Sequence, residues 1–280
     1  MKIFSKHETR RRLIHGYHDT DDLTDRIGDW FRSPLGQSVW AAEKAITDQL
    51  ISRLFGYHIL QIGCHEEFSL IADSPVGHKV MFRPAWRAGS AHPVALSEEL
   101  PVTSDSVDVV VLHHALDFTE QTHRLLREAT RVLRPGGHML IIGFNPGSLW
   151  GLAKLLRSRN QIPWCGKFIS RGRLTDWLQL LNLQLKSTEL GLYSPPTKLT
   201  KILIHANRIE RLGAGTQLPF GGIYVIQCVK QIVPITPIVP RWRPLRSGSL
   251  GVPAAENIRC LLYTSPSPRD RTRSRMPSSA

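Results

Sequence analysis

The spacing of apolar positions changes along the chain, and each change marks an element. From Asp25 to about Phe55, Trp30, Phe31, Leu35, Val39, Ala42, Ile46, Leu50 and Leu54 recur every three or four residues, the period of one helix face. Pro34 to Gly36 interrupts this stretch, which predicts a short element followed by a longer helix. Short apolar runs then alternate with helix-period segments. "HILQIG" reads as a strand, "EEFSLIADS" as a short helix, and "HKVMFR" and "HPVAL" as strands. "VDVVVLHH" does not alternate at all, as expected of a strand buried on both faces. In "QTHRLLREATRVLR", Leu125, Leu126, Ala129, Val132 and Leu133 share one side of a helix. Pro135-Gly136-Gly137 stops that helix, and "HMLIIGFN" is the next strand.

Strands alternating with helices imply an α/β fold with a doubly wound, mostly parallel sheet. Farther on, "SLWGLAKLLRSR" is a basic amphipathic helix, "SRGRLTDWLQLLNL" a second helix and "LTKILIHANRIERLG" a third. A strand is expected near Gln184–Leu190, and a last one, antiparallel near the C-terminal edge, in "GGIYVIQCVK". The expected organisation is a helical region over 1–56 packing on the core, an α/β domain over 57–230 and a Pro-rich basic tail over 231–259. Residues 260–280, "CLLYTSPSPRDRTRSRMPSSA", resemble a translated transposon-type sequencing adaptor and are read as a non-native, disordered segment.

Composition narrows the function classes. No apolar run reaches the roughly 18 residues a membrane-spanning helix needs, and the N-terminal stretch lacks a signal-peptide core, so a cytoplasmic location is expected. Cys64, Cys165, Cys228 and Cys260 form no CxxC pair, so free thiols are expected and no metal-ligand set is picked out. The formal charge is +13. Arg269, Arg271, Arg273 and Arg275 against Asp270 account for three of those charges, leaving +10 on the rest. A basic balance favours an anionic partner: nucleic acid, phospholipid headgroups or a charged small substrate.

The stretch "LPVTSDSVDVVVLHHALDFTEQTHRLLREATRVLRPGGHMLIIGFNPGSLWG" resembles the class I S-adenosylmethionine-dependent methyltransferases of small molecules. The LP dipeptide, the SxD before the fourth family strand, LREATRVL and RPGG carry the likeness, and "FNPGSLWG" and "WFRSPLGQ" resemble an uncharacterised bacterial branch of that group. The resemblance implies a Rossmann-like sheet of seven strands with S-adenosylmethionine as cofactor. It places Gln61, Gly63, Cys64, Arg83, Glu98, Leu100 and His113 around that cofactor, and His114 and Asp117 as catalytic candidates just past the fourth family strand. His114 would serve as a base, and Asp117 would orient it or bind a substrate hydroxyl.

The chain departs from the family's acidic–x–Gly–x–Gly–x–Gly loop. Gln61 holds the acidic position, and His65 and Glu67 stand where the second and third glycines belong. Arg83 replaces the carboxylate that holds the ribose diol, a change worth about 3–6 kcal/mol if two charge-assisted hydrogen bonds are lost. Three readings therefore stay open. The chain is a methyltransferase of a small or lipid-like molecule, a catalytically silent binding protein of the same fold, or an RNA-directed methyltransferase suggested by the basic charge. The basic helix from Ser148 leaves two readings open: it docks its leucines on the sheet with its charges in water, or Trp150, Leu152 and Leu156 form an exposed apolar rim for peripheral membrane contact.

Overall fold

The structure is a computed structural model that describes residues 23–63, 65, 67–83, 93, 95, 99–157, 161–196 and 220–232. The expectations for the tail over 233–280, the helix in "LTKILIHANRIERLG", most of "HPVAL", and Cys64 and Glu98 lie outside those residues. Among the described residues, no helix is long and apolar enough to cross a membrane.

The interrupted N-terminal pattern becomes two helical pieces, a stretch over 23–32 and helix α1 over Pro34–Ile51. Ser33 separates them, and its hydroxyl caps α1 by accepting from the Gly36 N–H. Gly36 is required for the tight junction, because a Cβ there would lie 2.2 Å from the Trp30 carbonyl oxygen.

The sheet comprises β1 (His58–Gly63), β2 (His78–Phe82), β3 (Val107–His113), β4 (Leu133–Phe144), β5 (Leu183–Gly191) and β6 (Ile223–Lys230). Their order is β2-β1-β3-β4-β6-β5. β1 runs parallel to β2 and β3, β3 runs parallel to β4, and β6 is antiparallel to both its neighbours. Six strands are described, in the Rossmann-like arrangement the alternation predicted. Every residue of β3 is buried, which explains its successive apolar residues from Val109 to Leu112. Between the strands lie α2 (Ala115–Phe118), α3 (Thr122–Val132), α4 (Leu149–Leu156) and α5 (Arg171–Leu180). α3 buries Leu125, Leu126, Ala129 and Val132 in the same cluster as Val110, Leu112 and Met139.

One expected element is absent. Within "EEFSLIADS", residues 67–74 form turns after β1 rather than a helix. The Gln61 side chain donates to the Phe68 carbonyl at 2.8 Å and accepts from the Leu70 N–H at 2.8 Å, so this backbone is bonded to a side chain of β1. Phe68 then packs with Phe31 and Trp164, whereas Leu70, Ile71 and Val76 pack with Ile59 and Val109. Apolar residues at helix-like spacing serve two separate clusters, and a helix has one apolar stripe to offer.

Asp108 fastens the opposite end of the sheet. Its carboxylate accepts from the Tyr57 and His58 N–H groups at 2.8 and 2.9 Å and pairs with Arg134. Gly56 lets it approach, since a Cβ there would lie 2.4 Å from the Asp108 Cβ. Burial disfavours the charge, but the two amides and Arg134 outweigh it and lower the Asp108 pKa. Asp108→Ala should cost about 2–3 kcal/mol by stranding these donors. A carboxylate lowered in the folded state stabilises fully above its unfolded pKa of about 4 and loses that contribution as pH falls through the folded value. Urea unfolding of both proteins from pH 7 down to pH 3 should therefore show the gap between them narrowing.

Candidate active site

The carboxyl ends of β1, β3 and β4 converge on a buried polar cluster. β3 ends at His113, beside Gly63 of β1 and Ile142 of β4 in the sheet register. The next residue, His114, has a left-handed backbone with φ 51° and donates its N–H to the Ile142 carbonyl. A non-glycine residue held there costs of order 1 kcal/mol or more and persists only where its surroundings impose it. The turn aims both imidazoles at α1.

Glu43 of α1 meets them. His113 Nε2 donates to Glu43 Oε2 at 2.9 Å, and His114 Nε2 donates to Oε1 at 2.5 Å. On the other side of the His114 ring, Nδ1 donates to Asp117 Oδ2 at 2.8 Å. The same oxygen accepts the Phe144 N–H at 3.1 Å. None of the four residues is more than 1% exposed. Phe31 and Trp40 wall the His113 ring at centroid distances of 5.6 Å, and Phe144 stacks on His114 at 4.3 Å.

Burial and charge oppose each other within the cluster. Burial raises Glu43, but the His114 charge and the hydrogen bonds from both imidazoles reverse this and bring it down to about 2. Burial lowers His114, yet Glu43 and Asp117 on either side raise it to about 9, so the ring stays protonated at neutral pH. His113 is lowered, because burial exceeds its Glu43 hydrogen bond. Asp117 is raised, because burial exceeds its bond from His114. Asp117 Oδ1 and the Tyr224 hydroxyl are buried and have no hydrogen-bond partner. Tyr224 lies on β6 beside Gly143, and its pKa is raised well above the ordinary value by burial and then by the Asp117 charge. Unsatisfied buried polar atoms of this kind suit contact with a bound molecule.

The sequence-derived candidates separate into groups. His113, His114, Asp117 and Gly63 come together, and Gln61 sits beneath them with its amide committed to the turn backbone. Arg83 is buried just past β2. Leu100 is drawn toward α3, its N–H donating to Glu128 and its carbonyl accepting from Arg131. The two residues in the glycine positions hold the N-terminal helical stretch. The His65 ring lies where a Gly28 Cβ would be, 2.4 Å away, and Glu67 takes a two-pronged pair from Arg32 at 3.0 and 2.6 Å. Trp150 is buried, its indole N–H donating to the Ser194 carbonyl at 3.0 Å. This corrects the expected rim: Leu152, Leu155 and Leu156 are 56–85% exposed without it.

Glu43 was missed by sequence reasoning. A faint signal exists: Leu35, Val39, Glu43, Thr47 and Ile51 recur every fourth residue and all are buried on α1. A carboxylate in a buried stripe needs a partner, and its partners lie 70 and 71 residues away. Glu43→Ala should cost about 3–5 kcal/mol, since it strands the charged His114 in the core; the loss is measured by urea unfolding at pH 7.

Known proteins place this architecture. Residues 79–141 match the family described as a methyltransferase domain. The chain is 33% identical over 160 residues to the uncharacterized protein YafS of Escherichia coli, covering 56% of this chain and 65% of that protein. It is 28% identical over 181 residues to a probable S-adenosylmethionine-dependent methyltransferase of Mycolicibacterium smegmatis, covering 59% and 62%. The chain thus spans less than two thirds of the length of these relatives. A SAM-dependent methyltransferase structure from Thermotoga maritima superposes with TM-score 0.57 at 16% identity, over 77% of this chain and all of that one. The family's cofactor is S-adenosylmethionine, which the match implies here. The domain match over residues 79–141 and the sheet order together make the chain similar to the class I S-adenosylmethionine-dependent methyltransferases.

Proposed function

We propose that this chain transfers a methyl group from S-adenosylmethionine to a small or lipid-like acceptor at the carboxyl ends of β1, β3 and β4. The observation that carries the reading is the pair of unsatisfied buried atoms, Asp117 Oδ1 and the Tyr224 hydroxyl. They belong to the polar cluster where parallel strands of such sheets receive ligands. The residues also fit the cofactor. Gly63 leaves room for close approach, because a Cβ there would meet only the Gln61 amide at 3.3 Å and nothing else nearer than 3.8 Å. The carboxylates of Glu43 and Asp117 suit a sulfonium cation. Arg83 can donate to ribose oxygens but accepts nothing, so the ribose would be held through its oxygens rather than through its hydroxyl protons.

When bound, S-adenosylmethionine supplies the electrophilic methyl group. The chain's own residues align the acceptor and exclude water. Asp117 fixes the His114 ring through Nδ1, and Nε2 would take an acceptor proton once its own hydrogen has passed to Glu43 and Glu43 has moved aside. A lipid-like acceptor is supported by α4, which follows β4 and exposes Leu149, Leu152, Leu155 and Leu156.

Two outcomes test the reading. Calorimetry should show the native chain binding S-adenosylmethionine and S-adenosylhomocysteine with micromolar affinity, about −8 kcal/mol. Gly63→Val should weaken this at least tenfold with little change in the unfolding midpoint. Absence of binding by the folded native chain would assign it instead to ligand or partner binding without catalysis, the reading that the closed Glu43–His113–His114 contact favours. Separately, anionic vesicles should sediment the chain at low salt and release it as salt rises. Leu152→Ser/Leu156→Ser should abolish sedimentation, and a native chain that stays in the supernatant makes a soluble acceptor the better reading.

A further inference from the structure

Glu43, His113 and His114 have the composition of a metal site. A carboxylate oxygen and two imidazole Nε2 atoms lie within 4.8 Å of one another, in a place with no solvent exposure. An ion bonded to three such atoms at about 2.0–2.2 Å holds them roughly 3.0–3.5 Å apart. The set therefore closes on an ion with side-chain shifts of about 1 Å. Asp117 bonds the far nitrogen of His114, and Asp117 is itself held by the Phe144 amide. A carboxylate behind a ligating imidazole fixes the ring and its tautomer and raises its basicity. Phe31, Trp40 and Phe144 supply an apolar wall, and the strained backbone at His114 keeps the second imidazole aimed at Glu43.

We infer that Glu43, His113 and His114 bind one divalent first-row transition-metal ion. Two imidazoles and one carboxylate suit zinc, iron(II) or cobalt(II) rather than magnesium or calcium, which take oxygen-rich shells. On binding, the two hydrogens shared with Glu43 give way to the ion. His114 keeps its Nδ1 hydrogen on Asp117 and releases the Nε2 hydrogen to solvent. His113 moves its single hydrogen to Nδ1, which has no hydrogen-bond partner. Three protein ligands leave a position for water or an acceptor oxygen. In the methyl-transfer reading, the ion would then acidify an acceptor hydroxyl in place of His114 acting as base. Metal uptake itself does not rest on that reading and is measured without the cofactor.

The test uses the untagged full chain, stripped with chelator, reloaded with zinc or cobalt(II) and freed of excess. Elemental analysis should find about one ion per chain, and the cobalt form should show visible d–d bands of a low-coordinate nitrogen–oxygen site. Glu43→Gln and His113→Ala should each lose the ion, and Asp117→Asn should keep the ligands but bind about 10- to 100-fold more weakly. The exposed pair His58 and His78, whose Nδ1 atoms are 3.0 Å apart, is the internal control. His58→Ala/His78→Ala should retain the full complement. Two results overturn the inference: a natively folded, reloaded wild-type chain with no ion, or an ion lost with His58 and His78. Both are read without the buried variants, so misfolding of Glu43→Gln or His113→Ala leaves the test intact.

Discussion

A single carboxylate, Glu43, joins the N-terminal helices to the middle of the sheet. It is buried to 0% exposure and receives hydrogens from both His113 and His114. A lone ionised carboxylate in such a place would cost several kcal/mol. Two imidazoles, one of them protonated, offset that cost, and the offset requires both to stay where they are. The orientation of α1, the left-handed backbone of His114 and the stacking of Phe144 therefore stand or fall together. An apolar residue in place of Glu43 with matching changes around it would serve stability as well. Stability alone thus gives little reason for a carboxylate in this position, whereas proton or cation handling gives one.

The remodelled loop after β1 follows from the same arrangement. In the family this loop stays open so that backbone can lie close to the cofactor. Here His65 packs against Gly28, Glu67 pairs with Arg32, and Gln61 gives both ends of its amide to the turn. His65 and Glu67, which stand in the glycine positions, dock the 23–32 stretch that immediately precedes the helix carrying Glu43. The departures are therefore coordinated with one another, and Gly63, the one glycine kept, lies beside His113 in the register.

What the sequence revealed was the part governed by local period. β3 was legible because burial on both faces leaves successive apolar residues from Val109 to Leu112, and α3 because its leucines fall on one side. His113, His114 and Asp117 were legible because position after a central strand implies a place at the ligand-binding edge. The turn at 67–77 was misread, since Phe68, Leu70 and Ile71 keep helical spacing while facing different clusters. Only the Gln61 bonds decide against the helix, and side-chain bonds to backbone leave no periodic trace. The sequence could not decide between an exposed and a docked Trp150, because the bond that buries it runs from its indole N–H to Ser194, 44 residues away. Glu43 left only its place in the buried stripe of α1 as a signal, because its partners lie 70 and 71 residues away.

The cluster also limits how the site can work. His114 is hydrogen-bonded on both nitrogens, so it cannot take a proton from an acceptor while Glu43 stays in place. If the site transfers a methyl group, either α1 would withdraw Glu43 as the acceptor entered, or a cation held by Glu43, His113 and His114 would acidify the acceptor in place of a base. The first route gives up the offset that makes a buried carboxylate tolerable, and with it the bond that ties α1 to β3. The second keeps the carboxylate paired throughout and moves no helix. A buried carboxylate facing two imidazoles, braced by a further carboxylate and walled by aromatic rings, is the costlier arrangement for a site that opens and the cheaper one for a site that stays closed around an ion.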